Sequence, residues 1–505
     1  MKKITIVSIL VVLVLGVVGI SWAQSFPASG TTVSNSIIQN MATGTGENAT
    51  IVIDYYDQAG NNVYTNSSVI LAPKAVTEVQ AQKEPLPSGF VGSAIVSSDR
   101  AVGAVTSLRN QNVPGAADGE TQGAYNGAPV GKDTIFFPSF WAFQWIVSRF
   151  TVQNTENAAA DIEIDYFKRD GTFVGTKTDT LPAYGSKTYC GCNPSDWPSS
   201  VIPAGFLDGA VTVRSTNGKL LAGASTATRT QEDSAYQALT GGDQGTVLYA
   251  PSAFRFNSSQ PIVQGTPPVL FSAVNIQNTS QTTAAEVTIE YYNRKTGAKD
   301  LFIDTTIAPG SATGANNYNG GDFDSNLFKA LKTNVDGDWD GSVKIISNNG
   351  IPLVGTGITQ WGGDHKATMY ALIPATNSAK TLFLPAQYRH DYGGSSLQQW
   401  SSLNLQNVGA STISKDDLFI EYIDTGGNTL LTLTGTDIFD LASGAALGAN
   451  TRNGGDLDKT LFDSFGTKFI GGIYVYSTDS SAELVATANI VYTNRASTYN
   501  AISGD

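Results

Sequence analysis

The sequence predicts an all-β protein built from four tandem antiparallel β-sandwich domains of immunoglobulin-like type, arranged as a semi-rigid array. In the second repeat, the apolar residues Ile162, Ile164 and Tyr166 alternate with acidic ones. This period of two is typical of a strand with one buried face. Such a segment recurs four times, each time preceded by a Gln-Asn pair and followed by a turn glycine. The pairs are Gln39-Asn40, Gln153-Asn154, Gln277-Asn278 and Gln406-Asn407, and the glycines are Gly60, Gly171, Gly297 and Gly427.

A proline marks the strand that begins each repeat. Because proline has no amide donor, this strand is expected at a sheet edge or at a crossing between two sheets. The four copies are Phe26-Pro27, Phe137-Pro138, Ala250-Pro251 and Leu384-Pro385.

The later part of each repeat carries a corner, two strands and a closing tyrosine. Turn residues between the two strands predict that they pair as a hairpin, as in Phe90–Ser97 with Ala101–Val105. The corners are Leu71–Pro73, Leu181-Pro182, Ala308–Gly310 and Ser443-Gly444, and the tyrosines are Tyr125, Tyr236, Tyr370 and Tyr499. A short helix is expected within Asp324–Lys332.

These landmarks divide the chain into five segments. We expect a signal peptide at 1–23 and β-sandwich repeats at 24–131, 132–245, 246–379 and 380–505. Residues 1–23 have a basic start, an apolar stretch from Ile4 to Ile20 and small residues at Ser21 and Ala23. This pattern is typical of a cleaved secretory signal, with an uncleaved membrane anchor as the alternative. The mature chain is therefore expected to be secreted, with no transmembrane segment.

The chain is acidic, with 43 Asp and Glu residues against 30 Lys and Arg residues and a formal net charge of −13. This charge argues against nucleic acid and anionic membrane surfaces as partners. It favours solubility and the binding of divalent cations.

The two cysteines, Cys190 and Cys192, are separated by one residue. In an exported protein, two thiols usually pair, which favours a local disulfide. Free thiols and a weak metal site are the alternatives, although no further ligand is close in the sequence.

Acidic residues at alternate positions predict calcium sites in the third and fourth repeats. Asp336, Asp338 and Asp340 precede Gly341, as in the opening of an EF-hand loop, but the closing acid is missing. Two further acidic pairs are equivalent between repeats: Asp322 with Asp324, and Asp456 with Asp458. The alternative is a set of turns with Asx hydrogen bonds.

Tryptophans cluster between the proline strand and the Gln-Asn strand, at Trp141, Trp145 and Trp400. Exposed aromatic rings could stack on sugars or contact a protein partner. The alternative is that they cap the sandwich ends and fill domain junctions.

Evidence for an enzyme is thin. The two histidines, His365 and His390, are expected in exposed loops, with no nucleophile at a readable spacing. Asp165 and Glu290 alternate along strands and are interpreted as part of a solvated face. We therefore predict a non-enzymatic protein, while a hydrolase with accessory sandwich modules stays open.

The composition and modular pattern resemble those of bacterial secreted surface proteins, in particular surface-layer and adhesive-stalk proteins. The chain is poor in Cys, Met and His and rich in Gly. The resemblance implies a self-assembling structural protein of the cell surface or extracellular matrix. The alternative function is a carbohydrate-binding or cell-binding adhesin, with cell-surface glycans as partners.

Overall fold

The computed structural model describes residues 7–11, 31–111, 120–129, 131–143, 146–198, 207–229, 233–256, 270–331, 338–361, 366–390, 398–492 and 495–504. The chain divides into two compact units. The first contains residues 1–242 with Gly310–Ala312, and the second contains Asp243–Pro309 with Thr313–Asp505. Apart from Gly310–Ala312, the first unit holds the first two repeats, and the second unit holds the last two.

The first repeat forms two four-stranded antiparallel sheets with the orders β1-β6-β3-β4 and β5-β2-β7-β8. The sheets pack face to face through an apolar core that includes Ile38, Ile51, Ile53 and Val96. Its strands are β1 (Val7–Val11), β2 (Thr31–Asn40), β3 (Ala49–Asp57), β4 (Asn62–Leu71), β5 (Val76–Gln80), β6 (Gly92–Ser98), β7 (Val102–Gln111) and β8 (Glu120–Asn126), with a 3-10 helix at Ala81–Lys83.

The second repeat has the same pairing, with the orders β12-β11-β14-β9 and β13-β10-β15-β16. The two layers are joined where β9 pairs with β10 at Ala142 and Val147. The strands are β9 (Thr134–Ala142), β10 (Ile146–Asn154), β11 (Ala160–Lys168), β12 (Phe173–Leu181), β13 (Ser186–Cys190), β14 (Leu207–Ser215), β15 (Leu221–Arg229), β16 (Asp233–Gln237) and β17 (Leu239–Thr240), with a 3-10 helix at Pro194–Asp196.

The third repeat continues the pattern, since β18 lies beside β24 and β25 lies beside β19 and β26. The strands are β18 (Val247–Phe256), β19 (Leu270–Asn278), β20 (Ala285–Asn293), β21 (Lys299–Ile307), β22 (Ala312–Asn316), β23 (Gly320–Gly321), β24 (Trp339–Ser347), β25 (Leu353–Trp361), β26 (Lys366–Ala371) and β27 (Ile373–Pro374). Short 3-10 helices occur at Leu327–Ala330, inside the predicted helical segment, and at Ala375–Asn377.

The fourth repeat has the same arrangement around β28, β29 and β34. The strands are β28 (Thr381–His390), β29 (Gln399–Asn407), β30 (Leu418–Asp424), β31 (Thr429–Leu433), β32 (Ala446–Asn450), β33 (Gly454–Gly455), β34 (Lys468–Ser477), β35 (Leu484–Tyr492), β36 (Ala496–Asn500) and β37 (Ile502–Ser503), with 3-10 helices at Gly435–Asp437 and Lys459–Phe465. Tandem antiparallel β-sandwiches are thus confirmed. Among the described residues, no helix is long and apolar enough to cross a membrane.

One predicted pairing is wrong. The two strands expected to form a hairpin in each repeat do not pair with each other. In the first repeat they lie in different sheets, where β6 pairs with β3 and β7 pairs with β2. The short turn at Asp99-Arg100 therefore crosses between the layers. Turn chemistry alone does not distinguish a hairpin from such a crossing, because both reverse the chain.

The proline strand lies where the two sheets meet. In β9, β18 and β28, the pairing with the neighbouring strand shifts register beside the proline. The proline thus occupies a bulge, which needs no amide donor. The buried closing tyrosine then donates its hydroxyl to the backbone oxygen of the residue after the proline: Tyr236 to Ser139, Tyr370 to Ser252 and Tyr499 to Ala386.

In the first repeat, the corresponding position beside β6 is taken by β1. This strand comes from the predicted signal peptide, the rest of which lies outside the described residues, as does Phe26-Pro27.

The recurring asparagine is a buried clamp. In each repeat its side chain amide donates to at least two backbone oxygens, and its side chain oxygen accepts from the backbone amide two residues further along the chain. Asn154 donates to Ala158 at 2.7 Å and to Pro182 at 2.8 Å and accepts from Glu156. All four asparagines are fully buried, so their amide groups need these protein partners in place of water. The clamp explains the recurrence, because it ties the end of one strand to the corner that follows.

Candidate functional site

The candidate site is a contact between consecutive repeats, which we name the turn–corner contact. In the first unit, the turn after β3, Asp57–Gly60, lies against the corner between β12 and β13, Leu181–Ser186. The amide of Ser186 donates to the backbone oxygen of Gln58 at 3.2 Å. The rings of Tyr56 and Tyr184 stack with centroids 4.9 Å apart. The contact therefore combines a backbone hydrogen bond with aromatic packing.

The second unit contains the same contact between its own two repeats. The turn after β20 includes Arg294 and Gly297, and the corner before β32 runs from Leu441 to Ala446. The amide of Ala446 donates to the backbone oxygen of Arg294 at 2.8 Å. Because Ala446 and Arg294 are the repeat equivalents of Ser186 and Gln58, the two units use one docking geometry.

Close backbone approach explains the turn glycine. A Cβ atom at Gly60 would lie 1.8 Å from the backbone oxygen of Ala183, and one at Gly297 would lie 2.2 Å from that of Ser443. Both glycines also have positive φ, 85° and 67°. The pattern predicted a glycine for the turn, and the contact with the next repeat is a second reason for it.

The corner has an unusual backbone conformation. Among the described residues, the non-glycine residues with positive φ are Lys74 at 61° and Tyr184 at 57°. Both occupy the corner position that Gly310 and Gly444 fill with φ of 70° and 79°. Residues other than glycine rarely adopt positive φ. Lys74 and Tyr184 therefore keep the same corner conformation as Gly310 and Gly444 at some energetic cost.

A buried ion cluster strengthens the contact in the second unit. The guanidinium of Arg294, 7% exposed, lies 2.9 Å from Asp340 in its own repeat and 3.2 Å from Asp456 in the fourth repeat. It also donates to Asn404 at 2.7 Å. One arginine therefore pairs with two carboxylates and connects the third and fourth repeats.

Asp340 is a carboxylate whose ionised form is disfavoured by burial. Burial raises its pKa to about 6, although Arg294 lowers it, and the nearby charge of Asp456 raises it further. Asp456 also accepts the amide of Gly448 at 2.7 Å. The cluster can thus respond to pH near neutrality.

The residues predicted to bind calcium are only partly brought together. Asp340 and Asp456 share Arg294, which is a cation of the protein itself. Asp322 accepts the amide of Gly314 at 2.7 Å, in the position that Asp456 occupies on Gly448. Asp322 and Asp456 are therefore equivalent because each carboxylate accepts the same backbone amide of its repeat.

The remaining acidic candidates bond locally. Asp324 accepts from Asn326 at 2.9 Å, and Asp458 caps the 3-10 helix at Thr460, also at 2.9 Å. Asp338 begins a described segment, and Asp336 lies outside the described residues. In the part of the chain that the structure describes, no three His, Cys, Asp or Glu side chains form a group that could hold a metal ion. Calcium binding stays a prediction.

The tryptophans differ in accessibility. The Trp141 side chain is buried in β9, and its backbone amide donates to the Ser148 hydroxyl at 3.0 Å. Trp400 is half-buried, and the Arg452 guanidinium lies 4.3 Å from its ring centroid. Trp145 lies outside the described residues. The geometry at Trp141 favours a packing role, while Trp400 keeps part of its surface accessible.

Cys190 and Cys192 form the expected disulfide. The amide of Cys190 donates to Asp196 at 2.9 Å, which fixes the following 3-10 turn. His390 is the last residue of β28 rather than part of a loop, and His365 lies outside the described residues.

Two acidic residues were wrongly placed on a solvated face. Asp165 is 4% exposed and lies 3.0 Å from Arg214, while Glu290 is 7% exposed and lies 2.7 Å from Lys299. Burial opposes ionisation of Glu290, but the bonds from Lys299 and Tyr292 hold its pKa below the ordinary value. Strand alternation predicted the face correctly, but not that long cationic side chains from neighbouring strands would cover these carboxylates.

Arg294 is the functional residue that sequence reasoning missed. It occupies the segment Asn293-Arg294-Lys295-Thr296-Gly297, which has the composition of an ordinary exposed turn. Its partner residues lie more than 40 residues away along the chain, so no local pattern signals their meeting.

Comparison with known proteins gives no family. No family model and no curated protein matches the chain. Among solved structures, an anti-sigma factor domain-containing protein has a TM-score of 0.12 at 8% identity, covering 88% of this chain and 95% of its own. A triple jelly roll protein from an archaeal virus turret has a TM-score of 0.14 at 12% identity, covering 74% and 87%. Latent PorU from Porphyromonas gingivalis has a TM-score of 0.10 at 9% identity, covering 79% and 32%.

Proposed function

We propose that the chain is a secreted, non-enzymatic structural protein of the cell surface or extracellular matrix that assembles with copies of itself. The observation that supports this most directly is the turn–corner contact, which joins consecutive repeats in each unit with the same backbone hydrogen bond. A contact that recurs in this way is suited to adding modules in series.

The acidic composition supports an assembly that depends on divalent cations. Copies with a net charge of −13 repel one another, and bound cations would reduce that repulsion. We propose calcium as this cation, bound by exposed carboxylates such as Asp324 and Asp458.

Electron microscopy of the mature protein, with calcium and with a chelator, tests the proposal. Ordered sheets or filaments that dissolve on chelation would support both the structural function and the calcium sites. Assemblies that persist in chelator would support the structural function and show that it does not require calcium. Isolated particles under both conditions would contradict self-assembly.

A second candidate is an adhesin that binds glycans through Trp400, whose ring is half-buried beneath Arg452. Arginine beside an aromatic ring can hydrogen-bond sugar hydroxyls while the ring stacks on a sugar face. Loss of glycan binding in Trp400→Ala with unchanged assembly would favour this function. As a matched control, Trp141→Phe changes a buried ring and should leave glycan binding intact.

A further inference from the structure

We propose that copies of this chain dock head to tail, with the turn of the fourth repeat seated on the corner of the first repeat of a second copy. We name these surfaces the terminal turn, Asp424–Asn428, and the terminal corner, Leu71–Val76. The inference rests on the proposed self-assembly and deepens it by naming the partner and both surfaces. Among the described residues, neither the backbone oxygen of Thr425 nor the backbone amide of Val76 makes a hydrogen bond of the turn–corner type.

The terminal turn has the geometry of a turn that is already docked. The amide of Asp424 donates to the Asn428 backbone oxygen at 2.9 Å, and that of Gly427 donates to Asp424 at 3.1 Å. In the docked turn of the first repeat, the amide of Asp57 likewise donates to Asn61, and the amide of Gly60 to Asp57, both at 3.0 Å. The φ angles of Gly427 and Gly60 are 89° and 85°. The backbone oxygen of Thr425 therefore takes the position of the Gln58 backbone oxygen, which accepts the Ser186 amide in the docked turn.

The terminal corner has the geometry of a corner that is already docked. Lys74, with φ of 61°, corresponds to Tyr184 in the docked corner. Val76 pairs with Gln39 as Ser186 pairs with Gln153.

The direction of the Val76 amide follows from this register. Asn40 donates to Ala75 at 3.0 Å, which makes these two residues the hydrogen-bonded pair at the start of the ladder. In an antiparallel ladder the next residue, Val76, then points its amide away from β2. The Val76 amide therefore points away from β2 at the edge of its sheet, like the Ser186 amide that donates to the backbone oxygen of Gln58.

The two terminal surfaces also match in chemistry. A donor at Val76 and an acceptor at Thr425 would recreate the bond found in both units. Asp424 at the turn and Lys74 at the corner have opposite charges, which favours this orientation over two turns or two corners meeting. Because the interface is heterologous, each copy keeps one surface of each kind, and addition can continue into a filament.

Cysteine cross-linking tests the contact in the full mature chain. The variant Gly426→Cys with Pro73→Cys places one thiol on each terminal surface. Other repeats already carry small side chains at the equivalent positions. Ala59 corresponds to Gly426, and Ala183 and Ser443 correspond to Pro73. The native cysteines are joined to each other and leave no competing thiol. After treatment with a short bismaleimide, a denaturing gel counts the linked copies.

The double variant should form a ladder of dimers, trimers and larger species, while each single variant should stop at dimers. The matched control, Gly426→Cys with Ser67→Cys, carries the same number of thiols but places the second on exposed β4. If the double variant gives no species larger than those of this control, or only a linked monomer, the head-to-tail contact is overturned.

Electron microscopy of the same unlinked samples separates this inference from the proposed function. Ordered assemblies without the ladder would overturn the head-to-tail contact and leave self-assembly standing. A ladder without ordered assemblies would support the contact and contradict an ordered structural function. The absence of both would overturn both.

Discussion

Replacing Arg294 with methionine should destabilise the junction between the third and fourth repeats. The substitution keeps most of the side chain volume but removes the cation between Asp340 and Asp456, which are 27% and 15% exposed at the side chain. Removing one partner of a buried ion pair costs about 3–5 kcal/mol. Because both carboxylates retain some contact with water, we expect a loss of about 2–4 kcal/mol in the free energy of unfolding at pH 8.

The loss should depend on pH, and its sign follows from Asp340. The pKa of this residue is about 6 in the folded chain against an ordinary value of 3.8, so the folded form binds the proton more tightly. The group therefore contributes stability at low pH that is lost as the pH rises through this window, by about 3 kcal/mol in all. Without Arg294 the folded pKa rises further, and the decline continues to higher pH. The variant should thus lose less at pH 5 than at pH 8.

Hydrogen exchange measured by mass spectrometry is the appropriate assay, because a chain of several domains need not unfold in one step. Peptides covering β20 and β32 report the two sides of the junction separately. The matched control Lys295→Met removes an exposed positive charge from the same turn and should change the opening free energy by no more than about 0.5 kcal/mol. Equal losses at pH 5 and pH 8, or a variant as protected as the control, would refute the ion cluster as the source of stability.

Four further predictions concern the repeat itself. Asn154→Ala should lower the stability of the second repeat by about 1–3 kcal/mol, measured by hydrogen exchange of β10, since the backbone oxygens of Ala158 and Pro182 lose their hydrogen-bond donor. Tyr499→Phe should cost about 1–3 kcal/mol in thermal unfolding, because its hydroxyl is hydrogen-bonded in the core. Tyr422→Phe should be neutral or stabilising in the same assay, since no partner of its buried hydroxyl is found among the described residues. Reduction of Cys190–Cys192 should barely shift the melting temperature, because the disulfide closes a very small loop.

Each of these has a contradicting result. Unchanged exchange in β10 would show that the asparagine clamp is dispensable. Equal melting temperatures for the two tyrosine variants would remove the distinction between a satisfied and an unsatisfied hydroxyl. A large fall in melting temperature on reduction would mean that the disulfide holds more than its own turn.

The sequence alone determined the repeat and its strands. Alternation in segments such as Ile162–Tyr166 depends only on a local property, the burial of one strand face, and it is therefore readable without a structure. The Gln-Asn pair was equally readable as a landmark. Its role as a clamp was not, because Asn154 bonds Pro182, which lies 28 residues further along the chain.

Tertiary structure alone decided which strands pair and where the repeats meet. Turn residues at Asp99-Arg100 reverse the chain in the same way whether the next strand joins the same sheet or the opposite one, so the predicted hairpin failed. Arg294 looked like an exposed turn residue, because its burial depends on carboxylates from two repeats that only the fold brings to it. Local chemistry fixes local conformation, whereas long-range partners are set by the packing of whole layers.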